Sequence, residues 1–248
     1  RKVPQINFSA IAFAAFRKDV YDIDTNQLIQ NFVQEAKKNG CNFIFNARVE
    51  NIDFKNSAWT INTKSEEYHS SIIVNAAGAW VDNICRLAKI KPIGLSAYRR
   101  SMARVPVPKN ISVTKWPFIS GPKEDWYVKP DAGQLIISPS EEILVKPHDA
   151  WADNQILAEG IARYEELVNL PVTKMTSNWA GLRTFSPDRS LVIGPAVDNN
   201  SFFFIAGQGG YGFQTAPAAS RLLRDLIFGR ASELNQETVK DLLPERFN

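Results

Sequence analysis

Phe202-Phe203-Phe204-Ile205-Ala206 runs directly into Gly207-Gln208-Gly209-Gly210-Tyr211-Gly212. A helical stretch follows from Thr215 to Phe228, with Pro217 in its first turn and Gly229 just past its end. An apolar strand, a Gly-x-Gly-x-x-Gly turn and a helix, in that order, make the nucleotide-binding junction pattern. Glycines let a backbone take positive φ and approach a ligand closely. The helix start behind them offers unpaired N–H groups and about half a positive charge. A pyrophosphate site would also need a second strand after the helix, with an acidic residue at its end. No apolar strand follows Gly229, so this is not the first βαβ unit of such a site. Two readings stay open on spacing alone: a tight strand–helix turn, or a loop facing an anionic or electron-rich group.

Upstream, Asp24-Thr25 is an N-cap signal, Leu28, Phe32 and Ala36 recur every four residues, and Gly40 closes the pattern, which predicts a helix. Alternation over 43–49 predicts a strand, Trp59 and Ile61 a second, and 68–74 a third that ends in Asn75-Ala76-Ala77-Gly78. Residues 80–88 read as a short helix. Between Lys91 and Pro147 frequent prolines cut the chain into extended pieces at 99–107, 116–120, 126–129 and 134–138, the texture of an antiparallel sheet. A second long helix is expected over 150–169, with extended chain at 172–182 and strands at 191–193 and 202–206. The apolar run Ala10–Phe16 fits either a strand or a helix, and the polar tail 230–248 is expected to pack loosely.

Composition bounds the function. The 248 residues carry 29 Lys+Arg against 26 Asp+Glu, 44% hydrophobic and 22% charged residues, which are globular values. The net charge of +3 comes from dispersed basic residues, which argues against a nucleic-acid partner. No apolar run approaches the roughly 18 residues of a membrane span. No signal-peptide pattern opens the chain, and a cytoplasmic protein is expected. Two cysteines and two histidines offer neither a disulfide framework nor a metal site.

Whole phrases then resemble a known family. Trp179-Ala180-Gly181-Leu182-Arg183-Thr184-Phe185-Ser186-Pro187-Asp188-Arg189, Leu191-Val192-Ile193-Gly194 and the run 202–218 resemble the C-terminal signature of the FAD-dependent D-amino acid oxidase family, which includes glycine and sarcosine oxidases. The Gln208-to-Thr215 wording is most similar to its D-arginine dehydrogenase-like branch. Val74–Trp80 resembles the family's second flavin-contacting turn, and Trp126–Gly133 its substrate-sheet strand. The resemblance implies an α+β (α/β) fold: a FAD-binding domain of the D-amino acid oxidase type without its N-terminal βαβ unit, plus an antiparallel-sheet substrate domain. It divides the chain as 1–23 (substrate-domain strand), 24–90 (FAD domain), 91–175 (substrate domain) and 176–248 (FAD domain), and it implies a C-terminal portion of a longer enzyme.

By the same resemblance Arg183 clamps the carboxylate of an amino-acid substrate and Tyr127 donates to it. A guanidinium fork suits a planar carboxylate. Arg100 stands where that branch carries a second substrate-contacting arginine. Neighbours on a strand point to opposite faces, so only one of Arg99 and Arg100 can serve. Gly210 and Gln214 line flavin and substrate. Gly209 belongs to the cofactor-binding loop, the backbone amides of Gly210, Tyr211, Gly212, Phe213, Gln214 and Thr215 face the pyrimidine edge of the flavin, Val49 reads the adenine, and Ala76, Ala77 and Gly78 make room for the cofactor. The implied reaction passes the α-hydrogen of an amino acid of the D series as hydride to flavin N5, and water then hydrolyses the imino product. Alternatives are a glycine- or sarcosine-type amine oxidase, and a non-catalytic module completed by a partner subunit. Ser138-Pro139-Ser140-Glu141-Glu142 departs from the family's usual Gly-Ala-Thr-Glu-Glu, which leaves the substrate open.

Overall fold

The computed structural model describes residues 2–247. In chain order the elements are α1 (Thr25–Lys38), β1 (Val49–Lys55), β2 (Ala58–Thr63), β3 (Glu67–Ser70), β4 (Ile73–Asn75), a 3-10 turn (Gly78–Trp80) and α2 (Val81–Leu87). There follow β5 (Ser96–Val105), β6 (Ile119–Ser120), β7 (Tyr127–Asp131), β8 (Gln134–Ser138), β9 (Ile143–Val145), α3 (Asn154–Leu167) and β10 (Ser177–Phe185). The chain closes with β11 (Val192–Pro195), β12 (Phe202–Ala206), α4 (Gly212–Ile227), α5 (Gln236–Leu242) and a 3-10 turn (Pro244–Phe247). The fold is α+β, in two compact units: residues up to 16 with 96–183, and 17–95 with 184 onward.

The first unit is built on a six-stranded sheet in the order β10-β5-β8-β7-β6, with β9 also on β5. Period-two alternation turns Ala103, Val105, Val128, Leu135 and Ile137 to one face, where they bury against Leu157 and Tyr164 of α3. The α3 helix starts where Asp153 caps it, accepting from the amides of Gln155 and Ile156. It lies close because Gly160 has no side chain: a Cβ there would come within 2.6 Å of the Pro139 backbone. The opposite face keeps Arg100, Met102, Arg104, Tyr127 and Lys129, and this face carries the first group of candidate site residues.

The second unit holds an antiparallel meander, β1-β2-β3, and a three-stranded sheet, β11-β12-β4, in which β12 and β4 run parallel. Its core joins Trp59, Val81, Phe202 and Phe204, all at most 1% exposed, and the Trp59 indole donates to the Ser201 hydroxyl at 2.8 Å. The α1 helix forms as expected, capped by Asp24. None of its residues is buried, however, and Ile29 and Phe32 stay exposed. Val74, in the edge strand β4, is exposed as well.

Several expectations need correction. Only Val49 of the expected strand 43–49 is in a strand; Phe43, Ile44 and Phe45 are exposed and pair with nothing that would make alternation a strand. The expected strand 68–74 is two strands in two sheets, parted where the Ser70 hydroxyl bonds the Ile72 backbone. The expected strand 116–120 shortens to two residues, and β9 was not anticipated. Residues 2–23 contain no strand, only a bridge between Ile6 and Val168. The tail does not pack loosely. It forms α5 and a final turn, Leu243 and Pro244 lie on the Cα of Gly194, and Arg246 grips Asp188 at 2.7 Å. Among the described residues no helix is long and apolar enough to cross a membrane.

Candidate functional site

On the open sheet face, Arg100 is held from below. Its side chain is only 9% exposed; Nε donates to the Glu141 carbonyl at 2.8 Å and Nη2 reaches the Glu142 carboxylate at 3.4 Å. Burial pulls the Arg100 pKa down, and the Arg183 charge pulls it further, while Tyr127, Glu142 and Glu141 oppose them. Arginine stays charged at neutral pH despite such a shift. Two guanidinium groups thus stand in each other's field, with the Tyr127 ring beside them. Arg99 turns the other way, to Asp153 at the α3 cap, as strand alternation requires.

Arg183 itself is half-buried on β10, and its guanidinium has no hydrogen bond or ion pair among the described residues. Asp188, the nearest acid in sequence, is occupied by Arg246. The Tyr127 ring stacks on Phe118 with centroids 5.1 Å apart, and its hydroxyl has no partner among the described residues. Arg183 and Tyr127 thus both act electrostatically on the fixed Arg100. An anion between the two arginines would relieve their mutual repulsion and satisfy their unpaired N–H groups.

Sequence reading passed over two supports of this arrangement. Glu141 and Glu142 seat Arg100, and both carboxylate oxygens of Glu141 are buried without a hydrogen bond. The Glu-Glu pair in the divergent turn was the visible signal. In the second unit Asn75, 2% exposed, organises the small-residue turn: its amide donates to the Val81 carbonyl and its oxygen accepts from the Ala77 amide. An asparagine ahead of Ala-Ala-Gly is the mark of such a local turn.

That turn brings Ala76, Ala77 and Gly78 to the start of the 3-10 segment. Gly78 has φ +55°, and a Cβ there would meet no atom within 4 Å. Val49 opens β1 and lines a broad open cavity of about 810 Å³ with Trp80, Ile84 and Arg86. In the glycine loop, Gly207 and Gly209 have φ of +70° and +54°. The helix begins at Gly212, three residues earlier than the sequence pattern indicated, with Tyr211 at its cap and no capping side chain. The first-turn amides of Gly212, Phe213 and Gln214 thus lack an intrahelical acceptor.

The expectation that the amides from Gly210 to Thr215 all face a ligand is corrected at two of them: the Tyr211 amide donates to the Gln208 carbonyl and that of Thr215 to Tyr211, while just ahead of the run the Gly209 amide donates to the Thr184 carbonyl. Closing the loop and starting the helix consume these donors. Gly209 also has a packing reason to be glycine, since a Cβ would lie 2.6 Å from the Phe185 ring.

The family model described as FAD dependent oxidoreductase matches residues 1–226. N-methyl-L-tryptophan oxidase of Salmonella dublin is 26% identical over 262 aligned positions, covering 99% of this chain and 65% of that protein. Glycerol 3-phosphate dehydrogenase of Caloramator mitchellensis is 26% identical over 214 positions, 82% of this chain and 43% of its own length. The chain thus spans about 65% of the length of the first curated relatives it matches. Among solved structures, L-proline dehydrogenase from P. horikoshii superposes with a TM-score of 0.75 at 23% identity, covering 90% of this chain and 60% of that one. Glycine oxidase from Geobacillus kaustophilus gives 0.67 at 17%, covering 78% and 51%. At those identities the likeness is one of fold.

Proposed function

The chain belongs to the FAD-dependent oxidoreductase family, and from that premise we propose that the whole protein oxidises the α C–N bond of an amino acid whose carboxylate Arg183 binds. The observation that carries this reading is the unpaired Arg183 guanidinium beside a fixed Arg100 and a free Tyr127 hydroxyl. Arg183 takes the carboxylate as a fork, Tyr127 donates to it, and Arg100, seated by Glu141 and Glu142, adds a second positive charge. The work of the three is to bind and orient.

The second unit suits FAD on its own features. The open space over Gly78, the turn held by Asn75 and the cavity beside Val49 and Trp80 suit a bulky planar group, with the adenine end at Val49. Ala76 and Ala77 let the backbone come close. The uncapped start of α4, with Gly210, Gly212, Phe213 and Gln214, suits an edge that gains negative charge, which a preorganised helix end stabilises. When bound, FAD supplies the two-electron acceptor for the oxidation.

The D series is proposed on the wording of 208–215. A secondary amine is the second reading, favoured by the similarity to an N-methyl-L-tryptophan oxidase along 99% of the chain. The test uses the full-length flavoprotein and D-, L- and N-methyl amino acids, with flavin bleaching under anaerobic conditions as the readout. Arg183→Ala removes one partner of a charged pair, a loss of about 3–5 kcal/mol, so bleaching should slow by roughly 10² to 10⁴-fold. Unchanged bleaching by every amino acid would overturn the proposal.

A further inference from the structure

The cavity beside Val49 has two unlike walls. One is the start of β1. The other is α2 with the turn before it, where Trp80, Asn83, Ile84 and Leu87 recur at three- and four-residue spacing and so share one helix face. Val49, Ile84 and Leu87 pack against the buried cluster of Trp59 and Phe202, which gives the cavity a fixed apolar floor. Trp80, 40% exposed, adds a flat ring where that face begins.

Three charged residues also line this cavity, Arg48, Glu50 and Arg86. The side chains of Arg48 and Glu50 make no hydrogen bond or ion pair among the described residues. Arg86 makes one bond: its Nη1 donates to Asn83 Oδ1 at 3.1 Å, one turn back on the helix. That bond ties the guanidinium to a second lining residue and occupies the amide oxygen of Asn83. The Asn83 amide nitrogen and the other guanidinium N–H groups are left to donate. A basic residue in the last turn of a helix offsets the carbonyl end, which accounts for the charge of Arg86. It does not account for a guanidinium and an amide coupled to each other on the wall of a cavity.

We propose that Arg86 and Asn83 are cofactor-binding residues that recognise the adenine ring of FAD, with Arg48 adding a second positive charge to the same cavity and Glu50 offsetting one of the two. This rests on the reading that the adenine end lies at Val49. Adenine is a flat ring whose edge nitrogens accept hydrogen bonds. The apolar floor suits its face. The Asn83 amide and the planar Arg86 fork supply donors for its edge, and a guanidinium also stacks on an aromatic face. FMN ends at its phosphate and lacks the ring, so these residues do nothing for it.

Calorimetric titration of FAD and of FMN into the full-length apoprotein tests this apart from turnover. In the unaltered protein FAD should bind more tightly. Arg86→Ala and Asn83→Ala should each lower the ratio of FAD to FMN affinity by about tenfold or more, by weakening FAD alone. Both residues are exposed on a helix surface, so the variants should fold. Arg86→Lys keeps the charge at the helix end and loses the planar fork. It should lower the ratio as alanine does, and a lysine that restored the ratio would overturn recognition by the fork. A ratio within about twofold of the original in both alanine variants overturns the assignment. Equal binding of FAD and FMN by the unaltered protein would instead remove the adenine end from Val49, and this assignment with it.

Discussion

Gly209 and Gly78 have nearly the same backbone geometry, φ +54° and +55°, in different surroundings, and alanine at each isolates one energy term. Both variants incur the left-handed conformation, about 1–2 kcal/mol for an L residue. At Gly78 nothing else is met within 4 Å. At Gly209 the new methyl would lie 2.6 Å from Phe185 Cε1 and 3.1 Å from the Tyr211 ring. Phe185 is 5% exposed, and Arg189 lies over its ring at 3.8 Å. The ring therefore has little freedom to withdraw, and overpacking adds about 1–3 kcal/mol. Gly209→Ala should cost about 2–5 kcal/mol and Gly78→Ala about 1–2. Urea unfolding of the two full-length variants, followed by circular dichroism with the slope checked for constancy, measures the difference. Equal losses would refute the reasoning, because they would mean that the loop closes on Phe185 loosely enough to accept a methyl. Flavin retention gives the opposite order if cofactor lies over Gly78: the alanine there should release flavin more readily than its small stability loss explains.

Asp188 is held below the usual carboxylate range, first by Arg246 and then by the Ser190 amide and Ser186 hydroxyl. A depressed folded pKa contributes stability that is present above the unfolded pKa and lost as pH falls through the folded one. Asp188→Asn should therefore cost about 1 kcal/mol at pH 7, a modest figure because the carboxylate is 43% exposed, and the gap to the parent should close in acid titrations. The Tyr164 hydroxyl is buried and has no hydrogen-bond partner among the described residues, so Tyr164→Phe should unfold at equal or higher urea, by up to about 1 kcal/mol; a clear loss of stability would contradict this. Burial pushes the Cys85 thiol up to about 12, whereas Cys41 is exposed. Alkylation at pH 8 should label Cys41 alone in the folded protein, and rapid labelling of both would contradict the packing around Cys85.

Local chemistry was enough for much of this protein. The Asp24 cap with its four-residue apolar spacing determined α1, the prolines between 91 and 147 marked out most of the antiparallel strands, and the glycine run determined a strand–turn–helix junction, because each depends on neighbours within a few residues. The phrases around Arg183 and Gly210 pointed to the family before any coordinates. Alternation also separated Arg99 from Arg100, although it did not say which faced the site. That choice was tertiary: α3 covers one face of the sheet, and Asp153 at its cap claims Arg99. The seating of Arg100 on Glu141 and Glu142 and the capture of Asp188 by Arg246 join residues distant in sequence. The split of 68–74 between two sheets and the ordering of the tail have the same cause. Strand membership and docking depend on which partner arrives from elsewhere in the chain, and no periodicity within a segment records that partner.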